Sequence, residues 1–100
     1  MTMSDFGRTL RSNGQGSDHG WGGHHLVLGG AVNGGRFASA FPTVALNTST
    51  DVGEGRLLPA VSSDAYAATL TSWLGASSTE LATIFPNLSG FNTQSPGLML

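Results

Sequence analysis

The sequence contains no cysteine and no lysine. The first absence excludes disulfides and thiolate metal sites. The second leaves Arg8, Arg11, Arg36 and Arg56 as the whole set of permanently basic side chains. Charged residues make up only 10% of the chain and the net charge is −2. No basic field is therefore offered to nucleic acid or to an anionic membrane surface, and the composition is unlike charged disorder, which is rich in Lys and Glu. Long hydrophobic runs are also missing. None approaches the roughly 18 residues of a membrane span, and the opening Met1-Thr2-Met3-Ser4-Asp5 lacks the basic-then-apolar pattern of an export signal. With 39% hydrophobic residues and 15 glycines in 100, loops must take up much of the chain. This length suits one small domain or a piece of a larger one.

Against these absences stands one concentration of chemistry, Ser17-Asp18-His19-Gly20-Trp21-Gly22-Gly23-His24-His25, which holds all three histidines. Neutral imidazole is the commonest protein metal ligand, and a neighbouring carboxylate supplies the anionic oxygen a divalent cation prefers. Glycines let the backbone aim such side chains at one point. A zinc-like ion needs three or more donors at roughly 2.0–2.2 Å. Asp18 and His19 are adjacent, so an extended backbone points them to opposite sides, whereas a tight turn brings them together. His24 and His25 share that ambiguity; His24 is favoured because His25 begins an apolar run. Two readings stand, a metal site and a surface turn with hydrogen-bonded structural histidines. The density of histidine beside aspartate favours the first, although no standard signature such as HExxH is present. Ser4, Thr9 and Ser17 lie near the cluster, none in a nucleophile-elbow pattern, so no catalytic nucleophile is assigned.

The rest of the chain reads as elements that frame this cluster. Met1 to Met3 suit the end of a buried strand, and Ser4 to Thr9 the polar loop leaving it, which makes Asp5 and Arg8 site candidates; a frayed terminus with Asp5 in a turn is the other reading. Residues 10–17 read as a flexible loop with turn signals at Asn13-Gly14 and Gln15-Gly16. His25 to Leu28 is expected to be a strand, extended or bulged through Val32, turning at Asn33-Gly34-Gly35 and returning over residues 36–41. Residues 42–56 form a long loop, and residues 57–61 a short extended segment. A helix is predicted from a Ser62 or Ser63 cap to Gly75, with Tyr66, Leu70, Trp73 and Leu74 as its apolar stripe. A second starts in a Ser77–Glu80 capping box, carries Leu81, Ile84 and Phe85, and stops at Pro86. Both stripes read as core packing rather than a cofactor box. The tail is expected to be a loop anchored at Phe91.

In order, SDFGRT, DHGWGGHH, LVLGGAVNGGR, GRLLPAVSSDAYAATLTSWLG and ELATIFPNL run from residue 4 to residue 88, within a resemblance that covers residues 3–91. This set resembles the carboxyl-terminal part of the bacterial domain-of-unknown-function 1501 family, which is distantly similar to the alkaline phosphatase and sulfatase superfamily. The resemblance implies an α/β sandwich with a two-metal site at its strand ends. It also implies a periplasmic or secreted parent, often exported by a twin-arginine signal. Asp18, His19 and His24 or His25 would then hold metal. Asp5 would stand where relatives carry an acidic ligand, although Phe6 beside it cannot ligate. Arg8 would lie near the anionic group of a phosphate or sulfate ester. The metal would polarise the ester and acidify a bound water, and arginine would grip the oxyanion. On this view residues 1–100 are a single partial domain, the carboxyl-terminal fragment of an alkaline-phosphatase-like sandwich: a Gly-rich loop, a β-hairpin and two short amphipathic helices. The fragment, lacking the first acidic ligand and the nucleophile, would be inactive without the remainder of the parent domain. The alternative is a non-catalytic secreted binding or structural protein that keeps the scaffold.

Overall fold

A computed structural model describes residues 1–91 and 96–100. The part of the expected tail loop over residues 92–95 lies outside them. The chain mixes one small antiparallel sheet with two short helices. It divides into two units, Met1–Leu26 with Ala40–Ala60, and Val27–Ser39 with Val61–Leu100.

The first unit is built on a hairpin of β1 (Gly7–Ser12) and β2 (Ser17–Gly20), which pair antiparallel with Gly7 opposite Gly20, Arg8 opposite His19 and Ser12 opposite Ser17. The turn between them is closed by Asn13 N–H donating to the Gly16 carbonyl at 3.0 Å, and Gly14 takes the left-handed φ of 93° that glycine allows. The register is irregular between Arg8 and Ser12, because β1 carries more residues over that interval than β2. The extra residues leave the Asp18 amide without a regular ladder partner. Thr9 supplies one: its buried hydroxyl accepts from Asp18 N–H at 3.0 Å and donates to the Arg11 carbonyl at 3.0 Å.

The outer edge of β1 is also occupied. Leu10 and Arg11 donate their N–H groups to the Gly55 and Glu54 carbonyls at 3.0 and 3.4 Å. The loop that offers these carbonyls is shaped by Asp51, whose carboxylate accepts from the N–H groups of Asn47, Gly53 and Gly55 at 2.8, 2.9 and 2.9 Å. Asp51 also bridges to Leu57, closing the loop at its base.

The hairpin therefore sits earlier in the chain than expected. The predicted strands over residues 25–28 and 36–41 do not pair. Leu26 and Leu28 are 67% and 85% exposed, and an apolar run without a sheet face to cover it gains nothing by becoming a strand. The turn signals at residues 13–16 instead had polar flanks, and polar flanks suit a two-stranded ribbon open to solvent. Val32 does form a bridge, but with Met99 in the second unit. Asn33 N–H donates to the Leu98 carbonyl at 2.8 Å, and Leu100 N–H to that of Ala31 at 2.9 Å. The Arg36 guanidinium clamps the Gly97 and Pro96 carbonyls.

Both predicted helices are present in that second unit. α1 (Ser63–Trp73) is capped by the Ser62 hydroxyl, which accepts from Ala65 N–H at 3.1 Å. It ends where Gly75, at φ 107°, lets Ala76 and Gly75 N–H return to the Thr71 and Ser72 carbonyls, a Schellman pair. α2 (Ser78–Ile84) starts in the predicted capping box, with Ser77 Oγ accepting from Glu80 N–H and Glu80 Oε2 accepting from Ser77 N–H. The packing differs from the expected stripe. On α1 the buried residues are Ala65 and Ala68, whereas Trp73 is 54% and Leu74 76% exposed. Small residues thus occupy the buried positions of α1.

Candidate functional site

The residues singled out by the sequence gather about the hairpin, but not at one point. β1 brings Arg8 opposite His19 on β2. Phe6, immediately before β1, stacks on the His19 imidazole with ring centroids 3.6 Å apart and planes 11° from parallel. The Arg8 guanidinium lies 5.0 Å from the centroid of the same Phe6 ring. One aromatic ring therefore carries an imidazole and a cation together, a favourable use of its negative face. Arg8 Nη1 also donates to the Ser17 carbonyl at 2.8 Å, which steadies the guanidinium and leaves its remaining donors for an anion.

Asp18 is turned to a different task. Its Oδ1 accepts from Asn13 Nδ2 at 2.7 Å across the turn, as the alternation of side chains along a strand requires for the neighbour of His19. His24 stacks on Phe41, 5.0 Å between centroids and 12° from parallel. His25 Nδ1 lies 3.5 Å from Thr2 Oγ1, and Thr2 also accepts from Leu26 N–H at 2.8 Å. Asp5 sits in the bend before β1, exposed to solvent. All of the candidate donors are exposed.

Carboxylate and imidazole are the right donor chemistry for a divalent ion, but donor type is only half of the requirement. Among the described residues no three His, Asp or Glu side chains converge on one position. Convergence is what a metal centre needs, and the described residues alone do not supply it.

Four residues that hold this region together were not singled out by sequence. Phe6 was set aside because it cannot ligate, yet it joins His19 to Arg8. Thr9 and Asn13 each bond Asp18, at its amide and at its carboxylate. Asp51 lies in the long loop over residues 42–56; the N–H of Asn47, then that of Gly53, hold its carboxyl below the ordinary value of 3.8. The Asp-x-Gly-x-Gly spacing of residues 51–55 was the available signal, since an aspartate followed by glycines is the pattern of a side chain capping its own turn.

No helix among the described residues is long and apolar enough to cross a membrane. No curated protein and no solved structure matches the chain significantly. A model of the family described as "Protein of unknown function (DUF1501)" matches residues 1–81, the hairpin, the histidine segment and α1 included. The chain belongs to the DUF1501 family.

Proposed function

We propose that this chain supplies anion-binding and metal-ligating groups to a hydrolase of phosphate or sulfate esters. The observation that carries the reading is the juxtaposition of Arg8 and His19 across the hairpin, joined by the Phe6 ring. A guanidinium beside an imidazole on an open surface is suited to a tetrahedral oxyanion: arginine grips two oxygens in its planar fork, and the imidazole offers a further N–H. Asp18, His19, His24 and His25 are the donors such a protein would present to a divalent ion, with Asp5 the acidic group nearest the start of β1. Further ligands and a nucleophile come from outside the described residues. The distant likeness to alkaline phosphatases and sulfatases is part of this reading, as is export of the parent protein.

A second reading has its own observation. Two of the three imidazoles are stacked on aromatic rings, His19 on Phe6 and His24 on Phe41, an arrangement that needs no metal. In that case the protein is a non-catalytic binding or structural module. Metal content by mass spectrometry separates the two, on the purified full-length parent protein and on its Asp18→Ala/His19→Ala variant. The hydrolase reading expects a near-stoichiometric divalent transition metal that the variant loses, together with turnover of aryl phosphate or aryl sulfate. A folded protein without metal or turnover overturns it and leaves the binding module.

A further inference from the structure

The turn between β1 and β2 contains an Asn-Gly pair, Asn13-Gly14, and a second lies at Asn33-Gly34. The two have different surroundings. At the first, Asn13 Oδ1 accepts from Gln15 N–H at 2.9 Å, Gly14 N–H donates to Ser12 Oγ at 3.1 Å, and Asn13 Nδ2 donates to Asp18 Oδ1 at 2.7 Å. Each contact has a counterpart in the ring closure that converts asparagine to aspartate. The Gly14 nitrogen is the nucleophile, and Ser12 Oγ, exposed to solvent, holds the proton that nitrogen must lose. The negative charge of the tetrahedral intermediate develops on Asn13 Oδ1, where Gln15 N–H already points, as a donor in an oxyanion hole does. Asp18 holds the nitrogen that will leave.

We propose that Asn13-Gly14 is a self-modification site, a turn whose own hydrogen bonds favour deamidation of Asn13. Gly14 N bonds to Cγ of Asn13 as the Cγ–Nδ2 bond breaks, and ammonia leaves with the proton given up by Gly14. Water then opens the cyclic imide at either carbonyl, giving aspartate or isoaspartate at position 13. Asn33 lacks this arrangement. Gly34 N–H is held by the Val32 carbonyl at 2.8 Å, and among the described residues no donor reaches Asn33 Oδ1. The product changes the hairpin, because the 2.7 Å bond between Asn13 and Asp18 becomes a pair of carboxylates that repel. The reaction asks nothing of a metal and stands apart from the hydrolase reading.

The test is incubation of the intact chain at mildly alkaline pH in water enriched in heavy oxygen, native and in concentrated urea, followed by peptide mass mapping of both sites. Asn33 is the internal reference, and the urea sample removes the contribution of local sequence. The ratio of Asn13 to Asn33 conversion is expected to be higher in native buffer than in urea. Ser12→Ala is expected to lower the native ratio about threefold to tenfold, the factor one neutral hydrogen bond is worth, and Ser12→Thr to preserve it. A native ratio at or below the urea ratio, or one that Ser12→Ala leaves unchanged, overturns the proposal. The comparison of native with unfolded wild type decides the matter even where Ser12→Ala fails to fold.

Discussion

Thr9 shows how much one hydroxyl decides. It is buried at 6% exposure and serves as both acceptor and donor where the ladder is irregular. Thr9→Val keeps the shape and strands the Asp18 amide, with an expected loss of about 1–3 kcal/mol; hydrogen exchange at that amide should accelerate first. Gly7 is the steric counterpart. A Cβ there would fall on the Gly22 carbonyl oxygen, so Gly7→Ala must push the segment after β2 away, at an expected cost of roughly 1–3 kcal/mol read from urea unfolding. Asp51 gives the pH dependence. Its carboxyl is held below its ordinary value by the amides of Asn47 and Gly53, with a smaller lowering by that of Gly55 and by Arg11. An acid favoured in its charged form when folded contributes stability above its unfolded pKa and loses it as pH falls through the lower, folded value. The Gly53 and Gly55 amide resonances should therefore move together on acidification from pH 3.8 downward, and Asp51→Asn should abolish that movement.

At the scale of elements, the helices were legible and the strands were not. Caps and stops are local signals, and Ser62, Gly75, Ser77, Glu80 and Pro86 all act within one turn of their own position. Ser62→Ala should cost about 1 kcal/mol, and Gly75→Ala, forced to hold φ at 107°, about 1–2 kcal/mol, both measured as helix content against temperature. Strand pairing is not local. The turn signals at residues 13–16 and 33–35 were equally plain, and which of them closed a hairpin depended on what its flanks met. For residues 7–12 that was β2 on one side and the Asp51 loop on the other. Residues 25–28 met neither. The candidate site shared that limit: the sequence found Arg8, Asp18 and the histidines, but the pairing of Arg8 with His19 follows from a register set by a bulge that composition does not reveal. Alternation along β2 then separates Asp18 from His19, giving one to Asn13 and the other to Phe6.

For the whole molecule, the sequence foresaw a chain rich in loops, but its expectation that the helix stripes pack into a core is not met at Trp73, Leu74 and Ile84, which are exposed. The buried hydrophobic side chains are Ala65, Ala68 and Leu98 among those described, while Leu28, Phe37 and Leu74 are 85%, 74% and 76% exposed. Scattered exposed apolar groups are ordinary, yet this many large ones offer surface to an apolar probe. The native chain is expected to enhance the fluorescence of such a dye without denaturant, and Leu28→Ser with Leu74→Ser to reduce the signal; a native chain that leaves the dye dark contradicts the exposure.

The loop around Asp51 has a kinetic meaning as well. Every hydrogen bond that the carboxylate accepts among the described residues comes from within four residues of it, and loops of this size close in about 10–100 ns, whereas a hairpin takes about 1–10 μs. The turn is thus expected to close before β1 finds β2. Its Glu54 and Gly55 carbonyls then wait as a template for the Leu10 and Arg11 amides, so β1 is recruited from its outer side while β2 is still searching.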